Sequence, residues 1–158
     1  MNENIEAGIT NTNKENDHRR KSFYEKSLSS ILDTITDFPD NSKLCQERTR
    51  NSELECAVDF ITVIQAHLQI INHLNEGAGD LKYHGQDEFL EFEKEIRCLG
   101  QEIRGVLDNN YESFLADMSR EEVARKKKED VAFVLDKLKK KAEEIKAFIE
   151  RMTLLPKT

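Results

Sequence analysis

Apolar side chains recur along this chain at steps of three and four residues, and the pattern is cleanest in its second half. Phe89, Phe92, Ile96, Leu99, Ile103 and Val106 follow steps of 3, 4, 3, 4, 3. Val131, Leu135, Leu138, Ala142, Ile145, Ile149 and Met152 follow 4, 3, 4, 3, 4, 3. Two apolar positions per heptad put a narrow seam on one side of a helix, so helices are predicted over 87–107 and 120–152. The second has a marked start. Ser119 and Glu122 stand at capping-box spacing, and Met118 and Val123 occupy the two staple positions around it.

In the first half Tyr24, Leu28, Ile31, Leu32, Ile35 and Phe38 form one stripe, which predicts a helix over 20–38. Pro39 is expected to end it, because the residue before a proline is pushed out of the helical region. Asp40, Asn41 and Ser42 then offer N-caps for a helix over 43–74, about 48 Å long if continuous. Leu54, Val58, Ile61, Ile64, Leu68 and Ile71 line that helix, and its polar start suggests a break near Asn51-Ser52. Glu76-Gly77-Ala78-Gly79-Asp80 reads as a stop leading into a loop through Gly85, and Asp108-Asn109-Asn110 as a corner before the apolar cluster Tyr111, Phe114, Leu115 and Met118.

The expected fold is all-α: an elongated antiparallel helical hairpin or coiled-coil bundle of about four helices. Residues 1–19 are read as a disordered tail and 20–155 as the helical domain. Narrow seams of this kind normally face other helices, supplied either by the first two helices folding back or by a partner protein. The partner-helix seam is assigned to Phe89, Phe92, Ile96, Leu99 and Ile103 on one helix. On the last helix it is assigned to Val131, Leu135, Leu138, Ile145, Ile149 and Met152.

Composition agrees with long helices. Of 158 residues 35% are charged, while Gly numbers 6 and Pro 2, too few for a turn-rich β fold. Gly100 and Gly105 lie off the seam, where a close backbone approach is one use for them. Charge is uneven: residues 80–118 carry 10 acidic and 4 basic side chains, residues 119–158 carry 8 and 12. Opposite charge therefore favours antiparallel pairing of the last two helices. Cys45, Cys56 and Cys98 match neither a disulfide framework nor a metal knuckle, which suggests reduced thiols and a cytoplasmic or nuclear chain. The most apolar window, 57–74, is broken by Asp59, Gln65, His67, Gln69, Asn72 and His73, so no membrane span is expected.

Candidate chemistry is sparse. Arg125, Lys126, Lys127 and Lys128, with Lys137 and Lys141 further on, are candidate anion contacts. Interleaved acids and the lack of stacking aromatics favour a solvated or partner-facing surface and count against nucleic acid as a ligand. His67 and His73 stand six apart, which is not ligand spacing on a helix, and no His-Glu-x-x-His occurs. Glu91, Glu93 and Glu95 lack the Glu-x-x-His partners of a di-metal bundle. No phosphate-binding or nucleophile-elbow motif is present. Arg19-Arg20-Lys21-Ser22 makes Ser22 a candidate phosphorylation site, its added charge favouring a nearby helix start.

The function expected is non-catalytic and cofactor-free: a helical subunit of a larger intracellular assembly, of the chromosome-segregation or microtubule-associated kind, pairing with helical protein partners as a hetero-oligomer. The alternatives are a compact four-helix regulatory module binding a peptide or client, and a nucleic-acid-associated factor using the basic last helix.

Overall fold

The computed structural model describes residues 2–77, 85–108 and 117–154, with side chains over 18–76, 85–108 and 117–152. Among the described residues there are four helices: α1 (Asn2–Thr49), α2 (Glu53–Gly77), α3 (Gln86–Leu107) and α4 (Arg120–Leu154). α1 packs on α2, α2 on α3 and α3 on α4, and α4 closes the ring against α1. The result is an all-α four-helix bundle. Its core is a single cluster to which every helix contributes: Ile31 and Ile35 from α1, Ile61 and Leu68 from α2, Ile96 and Ile103 from α3, Leu138 and Ile145 from α4.

Pro39 does not end a helix. α1 runs through it, and Asp40, Asn41 and Ser42, expected as N-caps, lie inside it. An interior proline removes one backbone bond and costs about 3 kcal/mol or more. The packing on either side offsets that cost. Phe38 is buried against Phe60 with ring centroids 4.1 Å apart, Ile35 is buried one turn earlier, and Ser42 is buried one turn later. Pro39 itself faces solvent. The helix also takes in residues 2–19, set apart as a tail in the sequence reading.

The break comes at 50–52, near the expected place. Arg50 adopts a left-handed φ of 61° while its amide still bonds to the Gln46 carbonyl at 2.9 Å, closing α1. Ser52 and Glu55 then form a reciprocal cap. The Glu55 amide donates to Ser52 Oγ at 3.1 Å and the Ser52 amide to Glu55 Oε1 at 3.2 Å. Across this turn Cys45 and Cys56 form a disulfide, with Cα atoms 6.1 Å apart. That corrects the reading of three reduced thiols. The break expected near Asn51-Ser52 lies between the two cysteines, but their spacing does not show that the chain folds back there; Cys98 is free and exposed.

The predicted start of α4 is present: the Glu122 amide donates to Ser119 Oγ at 3.2 Å. α3 is preceded by Gly85 at φ 84°, where a Cβ would meet Phe148 Cζ at 2.8 Å and Met152 Sδ at 3.3 Å. Glycine is needed there on both counts. No close approach occupies the other two sites, since at Gly100 the nearest atom is an Ile61 methyl at 3.4 Å and Gly105 has open space. By length and composition α2 is apolar enough to cross a membrane, its mean hydropathy reaching 1.4 over Glu53–Glu76. Here one face of it turns inward, with Leu54, Ile61, Ile64, Leu68 and Ile71 buried in the bundle. The cluster Tyr111, Phe114 and Leu115 and the loop expected over 78–84 lie outside the described residues.

Candidate functional surface

The two seams are where periodicity put them, and the chain itself covers them. Phe89, Phe92, Ile96, Leu99 and Ile103 are buried, as are Leu135, Leu138, Ile145 and Ile149, while Val131 and Met152 are half-buried at either end of the α4 stripe. Their neighbours are internal. Tyr24 meets Phe89 edge-on at 6.4 Å, and Phe148 meets both Phe89 and Phe92 at 5.4 and 5.5 Å. Docking a partner helix into this seam would require the bundle to open.

The charged candidates divide in two. Lys137 pairs with Glu102 at 3.4 Å, and Lys141 pairs with Glu95 and with Glu144. Lys139 reaches Glu53 at 3.4 Å. The acidic α3 and basic α4 are thus tied across their antiparallel interface, as their opposite charge leads one to expect. Lys141 shows the consequence. Partial burial pulls its pKa down, but hydrogen bonds and charge from Glu144 and Glu95 outweigh that and raise it above the usual lysine value. Lys137 also lies over the Phe133 ring at 4.6 Å. Lys137 and Lys141 are therefore engaged within the fold.

Arg125, Lys126, Lys127 and Lys128 are placed differently. The pairs Lys137–Glu102 and Lys141–Glu95 set the antiparallel register, which brings the last turn of α3 level with about Val131. The basic run lies N-terminal to that point, and of residues 120–129 all but the half-buried Val123 are exposed. Lys126 pairs with Asp130 at 3.2 Å along the helix. Arg125 and Lys126 share a shallow depression of about 200 Å³ with Met118, Glu122 and Glu129, a surface of mixed sign.

The remaining candidates do not converge. Gln65 and Gln69 direct their amides at Glu93 Oε1, at 3.5 and 3.4 Å, and Arg97 pairs with its other oxygen. Glu91 is exposed. These carboxylates hold helices together or face water. His67 is half-buried and His73 exposed, His84 lies outside the described residues, and among the described residues no group of three His, Cys, Asp or Glu side chains is placed to hold a metal ion. Ser22 is half-buried well inside α1. It does not stand at a helix start, and the dipole argument for a phosphate there no longer applies.

Two features escape sequence reasoning. One is a groove of about 600 Å³ between α1 and α4, floored by Ile35, Phe38 and Ala142 and rimmed by Lys43, Glu53, Lys139 and Glu143. The other is a set of exposed apolar side chains, among them Val63 and Ile70 on α2, 41% and 44% exposed, with the exposed Ala66 between them. Their spacing of 3 and 4 was visible in the sequence as a second stripe beside the core stripe. No protein-family model matches the chain, and no curated protein and no solved structure matches it either.

Proposed function

We propose that this protein is a non-catalytic helical module that works by contact with another protein, as a prefolded four-helix unit using its outer faces. The observation that carries this reading is that the chain fills its own core. Ile31, Leu68, Ile96 and Leu138, one from each helix, are all fully buried, so the seams of α3 and α4 need no partner. The outer stripe Val63, Ala66 and Ile70 is the kind of surface on which a helical partner lies. This favours the compact binding module over a rod completed by a partner. With Lys137 and Lys141 engaged internally, it also weakens the nucleic-acid alternative. The setting proposed is an intracellular assembly, and chromosome-segregation and microtubule-associated complexes are the kind it fits by analogy.

Two measurements test the reading. Light scattering and a thermal melt on the purified chain should give a compact species with one cooperative transition, whereas aggregation without a partner would end the prefolded-unit reading. Val63→Asp combined with Ile70→Asp should leave the melt nearly unchanged, since exposed substitutions usually shift stability by less than about 0.5 kcal/mol. The same pair should remove the chains that co-purify with the natural protein. Retention of those chains would place the contact elsewhere.

A further inference from the structure

We infer that Cys45 and Cys56 form a reversible redox latch that pins the part of α1 beyond Pro39. The packing of that part is thin. Of residues 39–49, all described, only Ser42 is buried; Cys45 and Gln46 are half-buried and Leu44 is 44% exposed. Upstream of Pro39 the same helix buries Tyr24, Leu28, Ile31, Ile35 and Phe38. Residues 40–49 therefore hang from a proline that interrupts the backbone ladder, with few apolar contacts of their own, the pattern of a segment that opens locally. The disulfide supplies the missing attachment, joining this segment to Cys56, whose side chain is buried in the first turn of α2.

The linkage sits on a turn that other groups have already shaped. The left-handed Arg50 ends α1 and the Ser52–Glu55 cap starts α2 within three residues of each other. With the bond in place the Cα atoms stand 6.1 Å apart, an ordinary disulfide separation, so the linkage fits the turn without displacing either helix end. Accessibility sets the order of events. The Cys45 thiolate, half-exposed, attacks oxidised glutathione; a Cys45–glutathione bond forms and one glutathione thiolate leaves. The Cys56 thiolate then displaces the second glutathione from Cys45 Sγ. In sum two protein thiols and one glutathione disulfide give one protein disulfide and two reduced glutathiones, the two thiol protons passing to the departing thiolates. An excess of reduced glutathione drives the reverse.

The same segment carries one wall of the α1–α4 groove, through Lys43 and Gln46, so the latch governs how firmly that wall is held. The test uses the full chain carrying Cys98→Ser, which removes the exposed thiol, in buffers of oxidised or reduced glutathione. Oxidised glutathione should give a mass lower by two hydrogens with no alkylatable thiol, and reduced glutathione should restore both thiols. Amide hydrogen exchange over 40–52 should be at least about tenfold slower in the linked form, with 135–149 unchanged. Accumulation of a stable glutathione adduct, persistence of two free thiols, or equal exchange over 40–52 in the two forms would each overturn the proposal.

Discussion

At Gly85 a single hydrogen in place of a methyl lets the start of α3 sit close against α4. The backbone there has φ 84°, and Phe148 and Met152 occupy the space a Cβ would need. Gly85→Ala is therefore expected to cost about 1–3 kcal/mol, from left-handed strain and overpacking together. Gly105→Ala, in open space within α3, should instead stabilise by about 0.5–1 kcal/mol. Paired urea titrations of the two variants check the opposite signs. Lys141 gives a prediction in pH. Its pKa is raised from 10.5 in the fold, so its contribution to stability is complete below that value and is lost as pH rises through the higher folded one. The natural protein should lose more stability above about pH 10.5 than Lys141→Gln does, read as the shift in urea midpoint. Residue-scale features were unevenly legible. Ser119 and Glu122 announced a cap, while Ser52 and Glu55, at the same spacing, went unread because they fell inside one helix running from 43 to 74.

Among the elements, α1 departs most from what local rules predict. Phe38 and Ser42 continue one stripe across Pro39, and Phe38 is held on Phe60, so tertiary packing overrides the breaker. Pro39→Ala should restore an amide donor for the Ile35 carbonyl and raise stability by up to about 3 kcal/mol, seen as a higher urea midpoint with unchanged helix content. Lower stability in this variant would mean that the proline shapes α1 in a way its neighbours require. α3 and α4 were legible almost residue by residue, because a strict 3–4 alternation leaves one helical face to bury. The staple between α1 and α2 was not. Eleven residues separate Cys45 from Cys56, and a break expected between them does not show whether the two helices fold back against each other there.

For the molecule as a whole, the seams were readable but their destination was not. An apolar stripe says that something covers it and carries no address for what does, so Phe89 to Met152 suited a partner as well as the chain's own α1 and α2. With the core closed, Leu138→Ala becomes a test of the entire bundle. Leu138 is fully buried, and the truncation should cost about 2–5 kcal/mol. At about 2–4 °C per kcal/mol for a chain of this size, the melting temperature should fall by several degrees. A milder loss would mean that α4 is held more loosely than its burial implies. The order of packing, mainly each helix against its successor in the chain, with α4 also returning to α1 and, more lightly, to α2, bears finally on speed. Most helix-to-helix packing joins neighbours along the polypeptide, so the conformational search has few long closures to complete. Refolding from denaturant is expected within microseconds to milliseconds, as for other assemblies of locally connected helices.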